Sequence, residues 1–255
     1  MSKPELTLVG EYFSPFTEKA LWALDHHGIP HRYDEYTPLL GEPWLRLRAG
    51  RWKGRVSVPW LLGPDLSFGD SVAIARHADA IGAGEPLFPA GEDAAIEAWN
   101  ERAESLMRAG RAQVLERTET SRQVAAESLP AFLPAALRTP LAGSARLGTA
   151  YLRRKYGVLP VTDEELEPDL AAIRDAVAAG ATRDGPRYLL GRFTFADVAV
   201  ASALQSVQPH HTHPLGLQPG QREAWTRAAL ADRWRDVLAW RDEIVERHRA
   251  AAAAR

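Results

Sequence analysis

The chain has 255 residues, 45% of them hydrophobic and 25% charged, with a formal net charge of -2 at pH 7. This is ordinary globular composition, and such a small charge gives no electrostatic reason to expect nucleic acid or a membrane as a partner. No apolar run approaches the ~20 residues of a membrane-spanning helix, and the N-terminus lacks the apolar core of a signal peptide. We therefore expect a cytoplasmic protein, and the length favours two domains.

The sequence contains no cysteine. A disulfide, a thiolate metal site and a cysteine nucleophile are therefore excluded. Any thiol chemistry must use a thiol that a ligand brings.

Residues 1–83 are predicted to form an α/β domain with the order βαβ followed by ββα. Apolar runs and turn residues predict its elements. The expected strands are 6–9, 31–36, 56–62 and 66–68, and the expected helices are 15–27, 44–49 and 71–81. Pro59 falls inside the third of these strands, which is unusual for a central strand.

The rest of the chain is predicted to be all-helical. Residues 84–92 are rich in glycine and proline and are expected to link the two domains. The second domain, 93–255, shows amphipathic, alanine-rich stretches and no convincing strand. Helices are expected near 93–117, 121–138, 143–156, 163–180, 195–207, 222–230 and 232–250.

Two helix starts carry recognisable capping residues. Ser14 stands at an N-cap position with Pro15 directly after it, the combination that favours the beginning of a helix. Thr194 and Asp197 have the spacing of a capping box, which would position the helix that follows.

Four segments resemble the glutathione S-transferase superfamily. Residues 14–17 (Ser-Pro-Phe-Thr) are similar to the start of the first helix in its serine-type members. Residues 58–61 (Val-Pro-Trp-Leu), 68–74 (Phe-Gly-Asp-Ser-Val-Ala-Ile) and 188–197 match three further segments in order and spacing. The resemblance implies a thioredoxin-like first domain that binds glutathione and a helical second domain with the second-substrate site.

The resemblance also implies how glutathione would be bound. Pro59 would be cis, leaving the backbone of Val58 to pair with the peptide-like ligand as an added strand; the alternative is a trans Pro59 in an edge strand. Ser71 would hold the γ-glutamyl carboxylate and Asp70 its amino group, although both residues could serve only as a helix cap.

Ser14 is the expected catalytic residue, because its hydroxyl could donate to the sulfur of glutathione. It could instead be only an N-cap, and Tyr12 is the rival hydroxyl. Phe16 belongs to the same segment and is expected to contact glutathione. Lys53 could pair with the glycine carboxylate, with a plain surface charge as the alternative.

The implied function is transfer of the glutathione thiol to a largely apolar electrophile, or a related isomerisation or elimination. The alternative is a non-catalytic binding module of the same fold. Glutathione is the only expected cofactor, no metal is expected, and a homodimer is implied by the resemblance alone. Candidates for the second-substrate site are Trp99, Leu106 and Met107, each of which could equally be core.

A group of histidines at 210, 211 and 213 is the one pattern that suggests a metal. Flanking prolines and the lack of a nearby acidic cluster favour an ordinary loop.

Overall fold

The computed structural model describes residues 6–130, 133–180, 187–211 and 217–249. Its first region is a four-stranded sheet with three helices. The strands are β1 (Leu6–Gly10), β2 (His31–Glu35), β3 (Trp60–Leu62) and β4 (Ser67–Gly69), and the helices are α1 (Pro15–His26), α2 (Glu42–Ala49) and α3 (Ser71–Ile81). The strand order is β2-β1-β3-β4, with β1 parallel to β2 and β3 antiparallel to both neighbours. The predicted thioredoxin-like arrangement is confirmed.

The third strand is shorter than predicted. β3 begins at Trp60, so Pro59 lies immediately before the strand and not within it. A proline has no N–H to contribute to a strand ladder, which explains why pairing starts one residue later. The Val58–Pro59 peptide bond is cis.

The described part of the second region contains helices joined by loops, and no strand. Its α-helices are α4 (Asp93–Thr120), α5 (Arg122–Glu127), α6 (Ala135–Leu141), α7 (Ala145–Tyr156), α8 (Glu167–Ala179), α9 (Phe195–Ala203), α10 (Pro219–Trp225), α11 (Ala228–Arg233) and α12 (Arg235–Ile244). Short 3-10 turns cover Ala142–Ser144, Glu164–Leu166 and Leu204–Ser206, and a π-helical turn covers Val245–Arg249.

Two predicted helices are interrupted. The stretch 121–138 divides into α5 and α6, because Pro130 and Pro134 lack the N–H groups that a continuous helix would need. The stretch 222–230 divides at Thr226, whose extended backbone caps the end of α10.

Helix α9 is the centre of the hydrophobic core and is buried along its whole length. It packs against both α4 and α1. Its start has the predicted capping box: Asp197 accepts hydrogen bonds from the backbone N–H groups of Leu189 and Thr194, both at 2.9 Å. The core therefore runs continuously from the sheet region into the helical region.

Charged side chains join α1 to the helical region. Lys19 is fully buried, and its Nζ donates to Asn100 Oδ1 at 2.7 Å and to Glu104 Oε1 at 3.2 Å. At the other end of the chain, Arg249 donates to Glu18 Oε1 at 2.6 Å and also pairs with Asp25. In the described residues no helix combines the length and apolar character needed to cross a bilayer.

Candidate functional site

Three of the predicted motifs meet at one end of the sheet. Val9 and Gly69 both pair with Trp60, so the loop after β1 and the residue after β4 flank Pro59. The register therefore brings Ser14, Val58 and Asp70 to the same end of the sheet, although they are far apart in sequence.

A cavity of about 500 Å³ opens beside this end of the sheet. Its walls are largely apolar and come from both regions of the chain. The loop after β1 and the start of α1 form one side, and α4, α7 and α10 form the other. Its lining includes Ser14, Phe16, Val58, Met107, Arg111 and Tyr156.

Ser14 is the N-cap residue of α1, but its side chain makes no capping hydrogen bond. In the described part of the chain its hydroxyl has no hydrogen-bond partner, and the residue lines the cavity. The N–H groups of Phe16 and Thr17 likewise have no intrahelical acceptor at this helix start. A hydroxyl donor and a helix N-terminus thus both face the cavity, a setting that stabilises an anion.

The loop that carries Ser14 is held by contacts on both sides. The backbone N–H of Ser14 donates to Glu11 O at 3.0 Å, and the backbone N–H of Glu11 donates to Thr17 Oγ1 at 3.2 Å. A side chain at Gly10 would lie 2.3 Å from Thr17 Cγ2, so only glycine fits there. From the helical region, Gln205 Nε2 donates to Phe13 O at 2.6 Å.

Tyr12 also lines the cavity. Burial raises the pKa of its hydroxyl, and a hydrogen bond with the Gln221 side chain offsets part of that increase. The Gln221 side chain thus already engages the Tyr12 hydroxyl, whereas the Ser14 hydroxyl has no hydrogen-bond partner in the described residues.

The Val58 backbone is available for pairing. In the described residues, neither its N–H nor its carbonyl has a hydrogen-bond partner, and Val58 lines the cavity next to the cis bond to Pro59. An extended ligand could therefore add to the sheet at this point.

Asp70 and Ser71 lie outside the cavity lining, at the start of α3. Asp70 has a positive φ of 85°, which is uncommon for a residue other than glycine. Its Oδ1 accepts from Val72 N–H and Ala73 N–H, both at 2.9 Å, so one carboxylate oxygen serves as the cap. Ser71 is 3% exposed.

Lys53 is exposed and is not among the cavity residues. Arg55, also exposed, lies with its guanidinium carbon 4.5 Å from the ring centroid of Tyr156 on α7. The loop before β3 therefore approaches the helical region through Arg55.

Only one of the three second-substrate candidates reaches the cavity. Met107 and Leu106 are both fully buried in the core, but only Met107 also lines the cavity. Trp99 packs at the edge of the core outside the cavity lining, with Arg102 6.0 Å from its ring centroid.

Sequence reasoning missed all the charged residues that line the cavity, which are Glu11, Glu35, Arg111, Glu127 and Arg138. Burial raises the pKa of Glu11 to about 7, with Arg111 lowering it and Glu35 raising it further. Met107, Arg111 and Leu115 follow one another at intervals of four residues and therefore lie on one face of α4. A cation between two apolar residues on the same face is the sequence signal that could have identified Arg111.

The histidine group has acidic neighbours that the sequence did not reveal. Potential ligand atoms of His210, His211 and Glu246 lie within 4.8 Å of one another, and His210 Nε2 is 3.7 Å from Asp242 Oδ1. His213 falls outside the described residues. Two carboxylates, Asp242 and Glu246, therefore lie near these histidines in space, although the sequence around the histidines has no acidic cluster.

The fold and the cavity define a protein with a thioredoxin-like region followed by a helical region and a cleft between them. Residues 13–81 match the family described as glutathione S-transferase, N-terminal domain. Comparison with curated proteins gives no significant match.

Solved structures of glutathione transferases have the same fold. One from Phanerochaete chrysosporium has a TM-score of 0.60 at 19% identity, with 95% of this chain and 98% of that chain covered. A glutathione transferase family member from Pseudomonas fluorescens Pf-5 with bound glutathione gives 0.55 at 19%, with 95% of each covered. Glutathione S-transferase III in its apo form gives 0.54 at 21%, with 98% and 95% covered.

Proposed function

We propose that the protein is a glutathione S-transferase of the serine type, in which the Ser14 hydroxyl stabilises the thiolate of bound glutathione. The observation that carries this proposal is the Ser14 side chain, which stands at a helix N-cap without capping it and lines the cavity. A hydroxyl with no structural partner at a helix N-terminus is well suited to donate to a sulfur anion.

Glutathione would lie along the end of the sheet. The unpaired backbone of Val58 would bind the peptide part of the ligand, and Ser71 and the second carboxylate oxygen of Asp70 would bind its γ-glutamyl end. Phe16 would contact the bound tripeptide, and Lys53 or Arg55 would pair with its glycine carboxylate. The Pseudomonas fluorescens relative with bound glutathione supports this choice of ligand.

An ordinary thiol has a pKa of about 8.5, so only a few per cent is ionised at neutral pH. Lowering that pKa by about two units would make the thiolate dominant. Its sulfur would then attack an electrophilic carbon in the cavity, forming a C–S bond as the leaving group departs with its electron pair. Met107 would contact the apolar part of this second substrate. A homodimer and a cytoplasmic location are further expectations from the resemblance.

The test is the ultraviolet absorbance of the glutathione thiolate in the complex, measured across pH for the wild type, Ser14→Ala and Tyr12→Phe. We expect the wild type and Tyr12→Phe to ionise the thiol at about two pH units below free glutathione, and Ser14→Ala to lose this shift. Loss of the shift in Tyr12→Phe alone would assign the role to Tyr12. Bound glutathione with an unshifted thiol would favour the non-catalytic binding module, and no binding would exclude glutathione as the ligand.

A further inference from the structure

Arg111 has an unusual position for a charged side chain. It lies near the middle of α4, one turn after Met107, and lines the cavity. Its guanidinium carbon is 4.0 Å from the ring centroid of Tyr156 and 5.1 Å from that of Phe16. Stacking on aromatic rings holds the plane of a guanidinium and leaves its N–H groups able to donate at the edge.

In the described residues no carboxylate lies close enough to Arg111 to form a salt bridge with it. No ion pair and no hydrogen bond joins its guanidinium to another group there. Burial lowers the pKa of Arg111, with Tyr156 and Glu11 opposing that decrease and Arg55 adding to it. A poorly solvated cation of this kind gains much from a bound anion, because removal of a charge from water is costly unless it is paired.

The carboxylates of the cavity are poorly placed to neutralise Arg111. Glu35 accepts from the Tyr33 hydroxyl at 2.7 Å, and Glu127 accepts from the backbone N–H of Gln221 at 2.9 Å. Glu11, the acidic group that acts on Arg111 most directly, has a pKa of about 7 and carries only part of a charge near neutral pH.

A second cation strengthens the positive potential. Arg55 contacts the same Tyr156 ring from the loop before β3, at 4.5 Å. Arg55 lowers the pKa of Arg111, so the two guanidinium groups repel each other, and an anion bound to Arg111 would offset that repulsion. The potential at this wall of the cavity therefore favours a negatively charged ligand group.

We propose that Arg111 determines substrate specificity by binding a carboxylate on the electrophile, so that the preferred second substrates are apolar electrophiles with an acidic group. This inference rests on the transferase function proposed above. The same chemistry could come from a carboxylate of glutathione. We assign it to the electrophile because Arg111 follows Met107 on the apolar wall of the cavity.

The test uses a matched pair of electrophiles, 4-chloro-3,5-dinitrobenzoate and its methyl ester. In both, the thiolate forms a C–S bond at the chlorinated carbon and chloride leaves with the bonding pair, so the two differ only in the carboxylate. The variants are Arg111→Met, Arg111→Lys and the control Arg108→Met. Arg108 is exposed one turn earlier on α4, so its replacement removes a positive charge outside the cavity.

We expect Arg111→Met to lower kcat/KM for the carboxylate by roughly 10- to 100-fold, the size of a charge-assisted contact, and to leave the ester within about twofold. Arg111→Lys should recover part of the loss, and Arg108→Met should resemble the wild type. An unchanged ratio of acid to ester in Arg111→Met would overturn the proposal. Weaker glutathione binding with an unchanged ratio would assign Arg111 to glutathione.

A binding measurement separates this inference from the proposed function. Calorimetry with 3,5-dinitrobenzoate and its methyl ester, which have no chloride to lose, needs no turnover. If the wild type lacks transferase activity but Arg111→Met selectively weakens binding of the acid, the transferase function fails and the carboxylate site stands. If acid and ester bind equally to the wild type, the carboxylate site is excluded whether or not the protein is active.

Discussion

The side-chain amide of Gln205 donates a 2.6 Å hydrogen bond to the backbone carbonyl of Phe13, the residue before Ser14. Because these residues are 192 positions apart, the helical region directly fixes the loop that carries the proposed catalytic hydroxyl. That carbonyl would otherwise be the acceptor for the first turn of α1.

Gln205→Met should therefore change two properties, the free energy of unfolding and the pKa of the thiol bound beside Ser14. We expect a loss of about 1–2 kcal/mol in the free energy of unfolding, because the Phe13 carbonyl loses its partner. We also expect the pKa of the thiol of bound glutathione to rise, because the Ser14 hydroxyl is held less firmly in place. Gln113→Met is the matched control, since Gln113 makes a comparable buried bond to Ala224 O at 2.7 Å, away from this loop. An equal effect of both variants on the thiol pKa would contradict the prediction.

Glu11 should make stability depend on pH. Its pKa in the native state is about 7, above the ordinary value of 4.5, because burial disfavours its charged form. The native state therefore binds this proton more tightly than the unfolded state, and the free energy of unfolding should fall as pH rises from about 4.5 to about 7.

Glu11→Gln should remove this part of the pH dependence. Relative to the wild type, the variant should gain on the order of 2 kcal/mol between pH 5 and pH 8. Urea unfolding at a series of pH values measures the difference, with exposed Glu101→Gln as the control for the loss of one carboxylate. A difference that stays constant with pH would show that Glu11 is ionised in both states.

Asp197 should be among the most sensitive positions for stability. Its carboxylate is fully buried and accepts from Leu189 N–H, Thr194 N–H and the Thr194 hydroxyl. Asp197→Ala leaves these donors without a partner, which we expect to cost about 3 kcal/mol or more. Calorimetric melting should show a decrease of about 10 °C for a chain of this size. A loss no larger than that of the exposed control Asp232→Ala would contradict the structural role.

Lys19 and Glu104 should be energetically coupled. Lys19 is fully buried between the rings of Phe16 and Phe195, and burial lowers its pKa while Glu104 opposes that decrease. Removing Glu104 leaves the buried Lys19 with Asn100 as its hydrogen-bond acceptor and no carboxylate, and removing Lys19 leaves Glu104 with only the longer contact to Arg108 among ion pairs in the described residues. We therefore expect Lys19→Met and Glu104→Gln each to destabilise the protein, and the double variant to lose less than the sum by about 1 kcal/mol or more. Strict additivity in denaturant unfolding would show that the contact contributes nothing.

Much of the fold was predictable because its signals are local. The helix start at Pro15, the cap at Asp70 and the capping box at Thr194 are set by residues within one turn of each other. The errors came where local signals compete. Pro130 and Pro134 divide a stretch whose alanine content predicts one helix, and Pro59 shortens a strand whose apolar run extends further.

The candidate site was predictable only where it follows a backbone motif. Ser14, Val58 and Asp70 belong to such motifs, and the sheet register places them together. Whether Arg111 and Glu11 line the cavity depends on which face of α4 packs against the loop after β1. That packing joins elements distant in sequence, so local sequence patterns do not reveal it. Helical periodicity marks Leu106 and Met107 equally, and both are fully buried; only the packing of the elements shows that Met107 also lines the cavity.

The ion pair between Glu18 and Arg249 spans 231 positions of the chain. Closing a loop of this length costs conformational entropy before the contact contributes, so we expect this pair to form late in folding. Helix α1 is held by this ion pair and, just before its start, by the hydrogen bond from Gln205. The final position of α1 therefore depends on contacts with distant parts of the chain. In a refolding experiment, recovery of the proposed glutathione binding should therefore lag behind the recovery of helical circular dichroism.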